Sequence, residues 1–126
     1  MIYGIGLDLI ELERVRLTLE RQPRMLTRIL TDREQARYET LADGRRLEYL
    51  AGRFAAKEAF VKALGTGIGR EVSWRDLEVL NETSGRPIMT GPFDGMIHVS
   101  ITHSDHYAAA QVLLEKRDGD VPTDVD

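Results

Sequence analysis

The chain has no cysteine. That excludes disulfides, zinc–thiolate sites and cysteine nucleophiles, and any metal must be held by oxygen or imidazole. No apolar run approaches the roughly 18 residues that cross a bilayer. The opening MIYGIGLDLIEL has no basic leader and already carries Asp8, so neither a membrane partner nor a signal peptide is expected, and a cytoplasmic location is the default. Aromatic residues are scarce, and 17 Lys and Arg face 21 Asp and Glu for a net charge of −4. An acidic, aromatic-poor chain is a poor candidate for nucleic-acid binding. What is present suits one soluble domain of 126 residues with a single core.

Charge is unevenly placed. Arg14, Arg16, Arg21, Arg24 and Arg28 fall in one segment with only Glu13 and Glu20, while Lys116 to Asp126 is acidic. A local basic face on an acidic protein points to one acidic partner. Met25, Leu26 and Ile29 interleave with the arginines, a mixed surface on which an acidic helix could dock. A solvated charged face is the plainer reading.

The pattern predicts a strand over Ile2–Ile10, with Tyr3, Ile5, Leu7 and Leu9 on one face and Gly4, Gly6 and Asp8 on the other. Glycine within a strand implies close approach of a backbone or a ligand. Helical spacing follows from Glu11 to about Leu41, broken at Pro23 and at Thr31, where Thr31 and Glu34 fit a capping box. Asp43-Gly44 reads as a break before a long helix from about Arg46 to Leu64, stopped by Gly65. Strands are predicted over Trp74–Leu80, from Pro87 to Thr90 after the turn NETSGRP, over Ile97–Thr102, and over Tyr107–Glu115. The expected fold is α+β, an antiparallel sheet packed on a long central helix. The domain would span 1–115 and the acidic tail 116–126 would be disordered.

Glu58 shares a helical stripe with Leu47, Leu50, Ala51, Phe54 and Val61. A carboxylate there needs a cation or donors. Lys62, one turn on, could pair with it for about 0.3–0.5 kcal/mol. Alternatively Asp8 joins Glu58 on a magnesium ion, which takes few protein ligands and completes its octahedron with water and phosphate oxygens. Lys62 would then flank the phosphate. The glycines of GTGIGR (Gly65, Gly67, Gly69) end the helix and could also line a diphosphate. His103, at a strand end, is either a solvated turn residue or an anion donor. Arg86, in the turn, is open to both readings.

Taken together, GIGLDLIEL, AGRFAAKEAFVKALGTGIG, NETSGRP and HVSITHSDHYAAAQV resemble the holo-acyl-carrier-protein synthase family of phosphopantetheinyl transferases. The match covers about Met1 to Glu115. The resemblance implies transfer of 4'-phosphopantetheine from coenzyme A to a serine of acyl-carrier protein, in fatty acid biosynthesis. It implies Mg²⁺ held by Asp8 and Glu58, and Lys62 on a phosphate. Coenzyme A would be held by Arg53, Lys57, Lys62, the Gly65–Gly67 loop, the Gly85-Arg86-Pro87 turn and His103. A homotrimer with sites between subunits, and carrier docking on Arg14, Arg21, Arg24, Met25 and Arg28, complete what it implies. The chain departs from the family core in its acidic tail, a candidate screen for the basic face.

Overall fold

A computed structural model describes residues 1–69 and 71–117. The chain opens with strand β1 (Ile2–Glu11), then α1 (Leu12–Arg21), α2 (Met25–Ile29), α3 (Asp32–Glu39) and the 22-residue α4 (Asp43–Leu64). Strands β2 (Glu78–Asn81), β3 (Pro87–Thr90), β4 (Met96–His103) and β5 (Tyr107–Glu115) follow. β1, β5 and β4 form an antiparallel sheet in that order, and β2 and β3 form a separate hairpin. The α+β architecture read from the sequence is the one observed.

The helix α4 is the centre. Its Ala51, Ala55, Ala56, Ala59 and Phe60 are wholly buried, beneath Ala108, Ala110, Val112 and Leu114 of β5 on one side and Leu77, Val79 and Met89 on another. A second cluster packs α1 and α2 on it through Leu12, Val15, Met25, Ile29, Leu30 and Leu50. Gly65 ends α4 in the left-handed region, φ 89°, with its amide donating to the Val61 carbonyl.

β1 lies directly on the α4 backbone. A Cβ on Gly4 would sit 2.0 Å from the Ala63 carbonyl oxygen, and one on Gly6 would sit 1.9 Å from that of Ala59. Two strand residues advance about 6.8 Å and four helix residues about 6 Å, so the two elements keep step in opposite directions. The next beat places Asp8 beside the turn of Ala55 and Glu58. The thinned face therefore meets a helix backbone, as glycine in a strand implied.

Some expectations are corrected. α4 starts at Asp43, with Ala42 as N-cap. Gly44 sits in its first turn, where helix amides have no internal partner and glycine costs little. Trp74–Asp76 is a 3-10 turn, not strand, because Ser73 and Asp76 cap each other reciprocally; β2 begins only at Glu78. The tail's first residue extends the sheet, Lys116 and Met1 exchanging backbone hydrogen bonds. The remaining tail expectation, 118–126, lies outside the described residues.

Candidate active site

An open cleft of ≈ 510 Å³ lies where β1 runs into α1 beside α4. Asp8 and Glu58 both line it, with Arg14, Met25, Phe54 and Tyr107. The strand delivers Asp8 through its Gly4–Gly6–Asp8 face, and the helix delivers Glu58 one turn after Phe54. Phe54 is held by stacking on Trp74, ring centroids 5.1 Å apart.

Lys62 reaches Asp8, not Glu58. Its Nζ donates to Asp8 Oδ1 at 2.9 Å and to the Leu7 carbonyl at 3.1 Å. Its side chain is 53% exposed, so the ammonium can swing onto an incoming anion. The Glu58 carboxyl lies above its ordinary value of 4.5, because burial disfavours its charge and Asp8 repels it, with Lys62 opposing both. Two like charges sharing a partly dried cleft, one of them held up, are a donor set that favours a hard divalent cation. Among the described residues no group of three or more His, Asp and Glu gathers as a metal cage. Two carboxylates are all that an ion completing its shell with water and phosphate requires.

The other anticipated coenzyme A residues fall into two places. Arg53, Gly85 and His103 line a second cavity of ≈ 530 Å³, with Arg37, Arg45, Glu48, Tyr49 and Asn81. The Arg53 guanidinium lies over the Tyr49 ring, 4.0 Å from its centroid, and donates to Asn81 Oδ1 at 2.5 Å. Asn81 in turn donates through Nδ2 to the Gly85 carbonyl at 2.8 Å. Gly85 has φ 93°, and its amide donates to Glu82. Arg86 stands exposed, 3.9 Å from Glu82, and Pro87 opens β3 opposite Asn81. His103 Nε2 lies 3.5 Å from Glu48 Oε2. Gly65 and Gly67 have open space where a Cβ would project, so the loop's backbone is accessible.

Lys57 does not belong with these. It is fully buried, and its Nζ donates to Glu34 Oε1 at 2.6 Å and to the Ile29 carbonyl at 2.7 Å. Burial pulls its ammonium below the ordinary lysine value, against the pull of Glu34. All its visible bonding capacity faces inward, away from either cavity.

On the basic face, Met25 is 4% exposed and Ile29 1%, packed in the second core cluster. The expected mix of arginine and exposed hydrophobes thus reduces to arginine with half-buried Leu26. Arg16 hydrogen-bonds both Glu13 and Glu20. Arg14, Arg21, Arg24 and Arg28 are exposed and make no ion pair among the described residues. Asn81, Tyr49 and Glu34 were not anticipated as site or support residues. The Asn81 position at the mouth of the turn was the available signal, since an Asn side chain there holds the turn's backbone.

Residues 4–114 match the family model described as the 4'-phosphopantetheinyl transferase superfamily. A holo-[acyl-carrier-protein] synthase of Exiguobacterium sibiricum is 75% identical over 126 residues, covering 100% of this chain and 98% of its own. A crystal structure of a Bacillus anthracis holo-(acyl-carrier-protein) synthase in complex with coenzyme A (3',5'-ADP) aligns with TM-score 0.88 at 48% identity, covering 93% of this chain and 99% of that one. The Helicobacter pylori synthase in complex with coenzyme A aligns with TM-score 0.79 at 28% identity, covering 88% and 99%.

Proposed function

The chain belongs to the 4'-phosphopantetheinyl transferase superfamily, and from that premise we propose how its residues move 4'-phosphopantetheine from coenzyme A to a serine of apo-acyl-carrier protein. The observation that carries the assignment of roles is the single cleft lined by Asp8 and Glu58, with Lys62 bonded to Asp8.

The serine hydroxyl attacks the β-phosphorus of coenzyme A. A serine Oγ–phosphorus bond forms, the diphosphate bridge breaks, and adenosine 3',5'-bisphosphate leaves. Such transfers need placement and charge stabilisation more than covalent help from the protein. Lys62, half-exposed at the cleft, supplies a mobile positive charge to the phosphoryl oxygens. The serine proton passes to Glu58 or to a water in the cleft that Asp8 and Glu58 line. Asp8 and Glu58 are the residues that would hold Mg²⁺, which when bound neutralises diphosphate charge. Arg53, the Gly85–Pro87 turn and His103 hold the nucleotide end, and Gly65 and Gly67 offer backbone to the diphosphate. Arg14, Arg21, Arg24 and Arg28 receive the acidic carrier.

Asp8 and Glu58 line one cavity, while Arg53, Gly85 and His103 line another in the same chain. The outward face of the three-stranded sheet carries Tyr3, Ile5, Leu7 and Leu9, each 48–65% exposed. A patch of that kind favours assembly. Both features support a homotrimer whose sites lie between neighbours.

The test is direct. Incubated with coenzyme A, Mg²⁺ and apo carrier protein, the chain raises the carrier's mass by one phosphopantetheine. Without transfer the reading is lost. Mg²⁺ alone also raises the wild-type melting temperature, through binding to the folded state only. Asp8→Asn abolishes that rise, and persistence of the rise in the variant refutes the metal assignment.

A further inference from the structure

The buried pair Lys57–Glu34 is used by no step above, yet it joins three elements of the site. Lys57 precedes Glu58 on α4. Its ammonium holds the carbonyl of Ile29, the last residue of α2, and one oxygen of Glu34. That same Oε1 accepts the Thr31 amide at 2.9 Å, and Glu34 Oε2 accepts the Val79 amide of β2 at 2.8 Å. Thr31 Oγ1 continues the network to Glu78 Oε2 at 2.6 Å. α2 is part of the arginine face. β2 leads into the Asn81–Pro87 turn. One ammonium and one carboxylate thus clamp the carrier-facing helix and the strand leading into the nucleotide turn to the helix bearing Glu58.

A fully buried ion pair is not an efficient stabiliser. Desolvating both charges costs several kcal/mol, and apolar replacements of similar volume are often neutral or stabilising. What the pair provides over apolar packing is direction. A lysine drawn inward toward Ile29 and Glu34 fixes the rotation of α4 about its axis. The next residue, about 100° further round, then faces β1 and Asp8. It also sets the distance from that helix to α2. Transfer depends on geometry at the ångström scale, where a misplacement of about 1 Å costs roughly a hundredfold in rate.

We propose that Lys57, with Glu34, is a positioning residue: it registers the carrier-docking helix and the nucleotide turn against Glu58, so that serine and phosphorus meet. The proposal rests on the transferase reading above, and the wild-type protein run in the same assay tests that reading separately.

The experiment compares wild type with Lys57→Met/Glu34→Gln, which removes both charges at similar volume, and with Glu34→Gln alone, which keeps the Lys57 bond to Ile29. Expected for the double variant are a cooperative melt, KM values for coenzyme A and for carrier within about twofold of wild type, and kcat lowered about tenfold or more. Glu34→Gln should fall between. Unchanged kcat in a folded double variant overturns the proposal. So does a rise in both KM values that accounts for the whole loss, since general loosening would do that. If the double variant does not fold, Glu34→Gln is judged by the same criteria. Failure of both to fold also overturns it, because the pair is then a requirement of the fold and not of placement.

Discussion

Replacing Gly6 with alanine tests how the site is held together. The added Cβ would lie 1.9 Å from the Ala59 carbonyl oxygen and 2.9 Å from the Ala63 nitrogen. Both are backbone atoms of a buried helix, and neither can rotate away. Opening the first contact to the 3.0 Å below which such contacts essentially never occur displaces β1 from α4 by about 1.1 Å. Overpacking of this kind costs about 1–3 kcal/mol, which is roughly 5–15 °C in melting temperature for a domain of this size. The displaced strand carries Asp8 two residues on, on the same face. Transfer to the carrier should therefore fall about a hundredfold, beyond what lost stability explains at an assay temperature well below the melt. Gly44→Ala is the matched control. It lies in the first turn of α4 with open space around it, so it should melt at or above the wild-type temperature and retain full activity. Calorimetry and initial rates decide the matter. A Gly6→Ala protein that melts and turns over like wild type would show that β1 is not seated on the helix backbone, and the explanation for the convergence of Asp8 and Glu58 would go with it.

Two further outcomes follow from the same geometry. Glu58→Gln should abolish turnover yet raise the melting temperature at neutral pH without divalent cation. A carboxyl whose folded value is raised destabilises the fold once ionised, so below the ordinary 4.5 the two proteins melt alike, and the variant's advantage grows as pH rises through the raised value. At this half-exposed position the gain is under about 1 kcal/mol; an advantage confined to acid pH would contradict the sign. Asn81→Ala removes the link between Arg53 and the Gly85 carbonyl. Loss of about 1.5 kcal/mol of ordering raises KM for coenzyme A about tenfold with kcat near wild type, by steady-state kinetics, and an unchanged KM would separate that turn from the nucleotide.

Much of this was legible in residue order. Alternation gave β1, Thr31 and Glu34 gave the start of α3, Gly65 gave the end of α4, and the Asn81–Pro87 turn gave the β2–β3 hairpin. These are local signals with local causes. Lys57 was not legible because α4 is buried almost all round, and a stripe argument presumes one wet face. The residue sits seven after Leu50 and four before Val61, so spacing allowed an inward reading, but charge argued against it until its partner on α3 was known. Met25 failed for a related reason. Its helix is five residues long, too short for periodicity to separate the face toward α4 from the face toward solvent. Trp74–Asp76 directly precedes the strand-like run that includes Val79 and Leu80 and reads as its start, but reciprocal capping by Ser73 and Asp76 makes it a separate turn.

Arg16 has a consequence for the speed of encounter. By bonding Glu13 and Glu20 it occupies both carboxylates of α1, leaving the other arginines of that segment without local competitors. A negatively charged molecule diffusing toward this side feels their field before any contact forms, over a distance set by the Debye length of about 10 Å at 0.1 M salt. Capture of an acidic partner on this side should therefore be fast in dilute buffer and slow steeply as ions are added, with the lifetime of the bound state changing much less.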